Sequence, residues 1–161
     1  MSTPERPDIV LVGNGLGIGR SPLGSLIDSA ETVVRFNCYE TEGYEEHVGS
    51  KVDVWACNCE RRDTVPFVRR QKNRHPLPKK FLLFWHDAKF EREISDIYNL
   101  PIEVVNQRMV GQLKKELRGN PTSGLTALAH YMQTGRQILI VGFDVMRGVA
   151  CPPRSYFEKE K

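Results

Sequence analysis

The chain has 161 residues, 40% of them hydrophobic and 27% charged, with a net charge of +3. These values exclude a disordered chain and fit one soluble domain with a continuous core, and so mild a charge gives no ground for a nucleic-acid partner. The opening MSTPERPD carries no apolar signal segment, and no apolar run reaches the roughly 18 residues that cross a bilayer, so a cytoplasmic protein without a membrane span is expected.

Residues 9–12 (IVLV) are apolar and β-branched between Pro7 and Gly13, which reads as a buried strand. The strand runs into a loop with glycine at 13, 15, 17 and 19. A dinucleotide fingerprint fails, because the sixth position is Ile18 counted from Gly13 and Arg20 counted from Gly15, and no Gly-Lys-Ser/Thr ending marks a P-loop. The bare backbone therefore has two readings, a tight turn or a loop whose N–H groups approach an anion such as a phosphate. Residues 21–30 enter a short helix through Ser21 and Pro22. Strands follow over 32–37, 51–58, 81–85 and 102–106. The basic run 69–80 lacks interleaved aromatics and reads as a solvated loop. Residues 114–120 end a helix with cations against its dipole, while 60–80 and 88–120 otherwise read as loops without legible chemistry. After Pro121, TSGLTALAHYMQTG has apolar residues at helical spacing with Gly135 as C-cap, and 138–144 is the last strand.

Strands alternating with helical segments predict a single-domain α/β fold over 1–161, a mainly parallel sheet with helices on both faces. Ligands of such sheets bind outside the carboxyl ends of the strands, which selects residues 13–19, 35–38 and 142–144. Alternation puts Arg35 and Asn37 on one face, where a cation and an amide converge on a ligand. Cys38, Cys57, Cys59 and Cys151 lack metal-ligand spacing and read as reduced structural thiols.

The segments VGNG (12–15), Ile27-Asp28, VVRFN (33–37) and GYEEHVGSK (43–51) resemble, in that order, the large motif of the sialyltransferases, glycosyltransferase family 29. PTSGLTALAHYMQTGRQILIVGFD (121–144) is similar to the family's small motif. The resemblance covers about half the chain and implies a Rossmann-like, variant GT-A-like nucleotide-sugar transferase fold. It also implies inverting transfer of a CMP-activated sialic acid or related ulosonic acid to a carbohydrate acceptor, without a metal or other cofactor. No D-x-D triplet occurs, in keeping with the last point. By position, Asn14 and Asn37 match residues that contact the nucleotide, with Gly13 and Gly15 allowing close approach and Arg35 beside them. Thr122, Ser123 and Gly124 match a turn whose N–H groups hold phosphate or sugar oxygens, and Gly142 and Phe143 match the strand end beside the cytidine.

Three departures stand out. Ile9 and Gly135 occupy the positions of a disulfide found in animal members, which points to a bacterial or phage-type relative. The family's third motif begins with histidine, whereas here Ser155 precedes Tyr156, Phe157 and Glu158. The family's usual general base, a further histidine, has no counterpart before Lys161, so a shortened C-terminal catalytic segment is expected. Among His47, His75, His86 and His130, the best placed for that role is His86, beside Asp87 at the end of the fourth strand. The sequence thus leaves open an active transferase with an unusual base, a nucleotide-binding module that has lost transfer, and a shortened form of a longer enzyme.

Overall fold

The computed structural model describes residues 6–59, 61–71 and 77–143. Among them six strands form one sheet: β1 (Ile9–Val12), β2 (Thr32–Phe36), β3 (Val54–Cys57), β4 (Lys80–Leu83), β5 (Ile102–Val104) and β6 (Ile138–Val141). Their order is β5-β4-β3-β2-β1-β6 and every pairing is parallel. All six expected strands are present and the α/β class holds. The boundaries contract where the backbone leaves the extended region. Asn37 has φ 47° and ends β2, and Gly142 has φ 70° and ends β6.

Period-two alternation decides which side chains meet which layer. Ile9, Leu11, Val34, Phe36, Val54, Ala56, Leu82 and Phe84 face one side, where helices α5 (Gln107–Leu117) and α6 (Ser123–Met132) add Val110, Ala127 and Tyr131. On the other side Val10, Val12, Val33 and Val141 meet Ile27 of α1 (Gly24–Ser29) and Val48 of α2 (Glu45–Val48). Further along that side Trp55, Cys57, Phe81 and Leu83 pack against α3 (Arg61–Gln71) and α4 (Ala88–Ile97). Strands with both faces covered read as continuous apolar runs, which made them legible.

Helices α3, α4 and the first part of α5 replace what the sequence suggested were loops, while the helix end read at 114–120 is the C-terminus of α5. Helices α4 and α5 each have a clear start: Asp87 accepts from the N–H groups of Lys89 and Phe90, and Asn106 from those of Arg108 and Met109. Phe90 and Ile94, one turn apart, bury the inner stripe of α4. The basic run is divided among elements: Arg69 and Arg70 close α3, Lys79 pairs with Asp53 at 2.7 Å, and Lys80 opens β4.

Two carboxylates tie distant segments together. Asp28 accepts from the N–H groups of Ser50 and Lys51, each at 2.9 Å, and from the Ser50 hydroxyl. Asp53 accepts from the Val33 N–H at 2.8 Å and pairs with Lys51 and Lys79. Its burial opposes ionisation, but the bonds from Lys79 and Val33 outweigh that and hold the carboxyl below its usual range.

Candidate functional site

The C-terminal edge of the sheet is built from turns that hold one another by amide side chains. Asn14, after β1, donates its amide to the carbonyls of Phe36 at 3.0 Å and Cys38 at 3.4 Å. These two acceptors fix the orientation of the amide and leave Asn14 Oδ1 buried with no hydrogen-bond partner. Asn37, after β2, donates its backbone N–H to Ala56, accepts the Asn58 N–H on Oδ1 at 2.9 Å, and accepts the Trp55 indole N–H on its carbonyl at 2.7 Å. Asn tolerates the left-handed conformation this position needs. The turns after β1, β2 and β3 thus form a relay through Asn14, Asn37 and Asn58.

Arg35 does not converge with Asn37. Because β2 ends at Phe36, the alternation that would align them is broken, and Arg35 is fully buried beneath the strand ends. Its guanidinium donates to the carbonyls of Lys51 and Val48, both at 2.8 Å, and lies over the Tyr39 ring. Close packing accounts for Gly13, Gly124 and Gly142. A Cβ on Gly13 would stand 2.4 Å from the Gly142 carbonyl oxygen, and one on Gly124 would stand 2.2 Å from the Phe143 ring. Gly15 donates its N–H to the Gly142 carbonyl at 2.7 Å. Phe143 is partly exposed and meets Phe36 edge-on at 5.5 Å, and Phe36 stacks on Phe84.

Beyond that aromatic row the edge opens into a cleft of about 640 Å³. Its floor is Asn58, Phe84 and Trp85, at the ends of β3 and β4. Gln107, Val110 and Lys114, spaced to share one face of α5, form one wall. Asn120 and Pro121 join this wall to the first turn of α6, which contributes Thr122, Ser123 and Thr126. Thr122 caps α6 by accepting the Leu125 N–H, and its carbonyl takes the Thr126 N–H. Helix geometry leaves the N–H groups of Ser123 and Gly124 without an intrahelical acceptor. Gln107 is held by donating its amide to the carbonyls of Phe84 and Val105.

Of the residues selected from sequence, Thr122 and Ser123 line the cleft, and Asn37 reaches it through Asn58. Gly13, Asn14, Gly15, Gly124, Gly142 and Phe143 are not among its lining and shape the adjoining strand ends and α6 turn, while Arg35 points to the opposite face of the sheet, against Val48, Lys51 and Tyr39. Ser155 and Tyr156 lie outside the described residues, as do His75 and Cys151. Sequence reading missed Asn58, Trp85, Gln107 and Lys114. Asn58 could have been found from its place directly after a buried strand, the place Asn37 also takes.

His86 is largely exposed, with Nδ1 3.3 Å from a Glu91 carboxylate oxygen, while Asp87 is engaged as the α4 cap. His47 is half-buried, its Nδ1 3.2 Å from the Ser21 carbonyl. His130 lies at the far end of α6, 3.2 Å from Glu103, and burial lowers its pKa against the opposing pull of that carboxylate. Burial pushes the Cys57 thiol well above its ordinary value and Cys59 up to about 12, which suits inert structural thiols. Among the described residues no cluster of three His, Cys, Asp or Glu side chains could hold a metal ion, and no helix is long and apolar enough to cross a membrane.

The family model for glycosyltransferase family 29 (sialyltransferase) matches residues 8–161. The chain belongs to this family. Its fold is that of solved sialyltransferases. It is similar to a mammalian sialyltransferase at 20% identity and a TM-score of 0.67, over 96% of this chain and 60% of that one. A mammalian sialyltransferase in complex with Gal-beta-1-3GalNAc-ortho-nitrophenol gives 21% identity and 0.62, over 84% of this chain and 54% of that one. CstII from Campylobacter jejuni in complex with the substrate analogue CMP-3FNeuAc gives 16% and 0.59, over 86% and 65%. This family 29 chain thus spans between about half and two thirds of the length of these solved relatives. No curated protein matches it.

Proposed function

We propose that the chain binds a CMP-activated sugar in the cleft at the ends of β3 and β4 and transfers it, with inversion and without a metal, to a carbohydrate acceptor. The donor is sialic acid or a related ulosonic acid. One observation carries the reading: the two segments that bear the family's motifs meet at a single cleft, Asn37 positioning Asn58 on its floor and Thr122–Ser123 forming its wall. A volume of about 640 Å³ is of the size that takes a nucleotide sugar. The absence of a D-x-D triplet supports metal independence. Ile9 and Gly135, where animal members carry a disulfide, support a bacterial or phage-type origin, and with Cys57 and Cys59 in no disulfide they support a reducing cytoplasmic setting.

The described lining holds no histidine, carboxylate or thiol. That observation favours, as the second reading, a CMP-binding module without transfer, since attack by the acceptor hydroxyl needs a group to take its proton. Calorimetric titration with CMP, UMP, GMP and NAD tests the pocket: CMP binds most tightly, and equal affinities would remove the assignment. Release of CMP from CMP-sialic acid only when an acceptor sugar is present supports transfer; no release favours the module. If transfer occurs, His86→Ala distinguishes the base, since normal turnover in that variant excludes His86.

A further inference from the structure

We propose that Lys114 is the cationic contact of the cleft, pairing its ammonium with an anionic oxygen of the donor. The inference rests on the reading of the cleft as a CMP-sugar site and adds to it a residue outside both sequence motifs. Lys114 is the sole charged side chain of the described lining, among Asn58, Gln107, Asn120 and the hydroxyl residues of the α6 turn. It shares the cleft-facing side of α5 with Gln107 and Val110 and is itself exposed, so its four-carbon stem starts from the wall of the cleft and its ammonium reaches the opening. Lys51, Lys79 and Lys80 are each paired with a carboxylate, whereas Lys114 has no such partner among the described residues.

The chemistry of the ligand makes the same demand. A CMP-activated sialic acid carries two negative charges, one on the phosphodiester and one on the sugar carboxylate. Moving either into a cleft walled by neutral groups costs its hydration, and a wall that is otherwise uncharged returns that cost only through hydrogen bonds. The first turn of α6 supplies N–H groups and the positive end of a helix dipole, roughly half an elementary charge. A full positive charge on the facing helix completes a clamp in which Lys114 acts as a point charge, a role an ammonium fills well.

The test is calorimetry of the full chain and its Lys114→Gln, Lys114→Glu and Lys114→Arg variants against cytidine, CMP and CMP-sialic acid. Cytidine carries no anion and reports the integrity of the nucleoside site. Lys114→Gln is expected to weaken an anionic ligand about tenfold, Lys114→Glu more, and Lys114→Arg little, with cytidine within about twofold throughout. A loss already present with CMP locates the contact at the phosphate, and a loss confined to CMP-sialic acid locates it at the carboxylate; both support the proposal. Variants that bind all three ligands like the unaltered chain, or that lose cytidine equally, overturn it while leaving the CMP site standing. An unaltered chain that prefers none of the three over UMP overturns the CMP site itself, and Lys114 with it.

Discussion

The two ends of the sheet's C-terminal edge are built in opposite ways. Between β1 and β6, where the strand order reverses and an open α/β sheet usually admits its ligand, the chain fills the space itself. Gly13 and Gly142 approach within the reach of a missing Cβ, and Phe143 lies over Gly124 and against Phe36. Past Phe84, between the ends of β3 and β4 and the overhanging α5 and α6, the edge is open. Glycine marks the closed end and amides mark the open one. The start of the glycine-rich loop, Gly13 and Gly15, therefore reports a crossing of backbones with Gly142, and the room for a ligand is signalled by quieter residues.

The largest effect should come from closing space that does not exist. Gly142→Ala places a Cβ 2.5 Å from the Gly13 carbonyl oxygen at φ 70°, and should cost about 3 kcal/mol or more, roughly 8 °C or more in Tm. Gly19→Ala, in the same glycine-rich loop but with open space around it, should change stability by less than about 0.5 kcal/mol. Equal tolerance of the two in thermal unfolding would break the distinction between a glycine fixed by packing and one with open space around it. Next comes Arg35→Met, which strips the Val48 and Lys51 carbonyls of their donors and should cost about 2 to 3 kcal/mol. CMP affinity of the folded variant should be unchanged, since Arg35 lies beneath the strand ends. A drop in affinity measured well below Tm would return Arg35 to the ligand.

The contrast also explains what could be read in advance. Runs such as IVLV and VWAC are apolar and buried on both faces because helices cover both, so the strands and the α/β class were legible. The small-motif helix was legible for a similar reason: Thr122 caps it and Thr126, Ala127 and Tyr131 are buried at helical spacing. Only the basic end of helix α5 was legible; its first turns hid, because only Val110 is buried on it and Gln107 and Lys114 face the cleft. A helix whose inner face is polar looks like a loop when one expects an apolar stripe. Arg35 misled for a local reason. The left-handed turn at Asn37 cannot be seen in period-two alternation, and a buried arginine satisfied by carbonyls looks in sequence like any strand-end cation.

At the open end, Asn37→Ala separates binding from folding. The substitution removes the acceptor for the Asn58 N–H and sets alanine at φ 47°, so CMP binding should weaken by roughly 1 to 3 kcal/mol. Asn37→Gly relieves the backbone strain and still lacks the amide. If the relay matters through the amide, both variants lose CMP affinity while only Asn37→Ala loses appreciable stability. Unchanged CMP binding in both would detach Asn37 from the cleft.

The smallest effect is a dependence on pH, and it belongs to the far end of α6. His130 sits against Glu103, which also pairs with Lys80, and beside the ring of Tyr131. Burial lowers the histidine's pKa below its ordinary 6.5, with Lys80 adding to the shift and Glu103 opposing it. As pH falls through 6.5 the unfolded chain takes up the proton first, so His130's contribution is complete above pH 6.5 and fades as pH drops toward the lower folded value. Partial exposure and the nearby carboxylate keep the loss below about 1 kcal/mol. Thermal unfolding between pH 7 and 5 should therefore show a shallower decline in His130→Gln than in the unaltered chain. The ratio of their CMP affinities should stay constant over the same window, because the cleft that Thr122 and Ser123 line lies at the opposite end of the helix. A ratio that changes with pH would couple the two ends of α6 and end the separation on which the comparison rests.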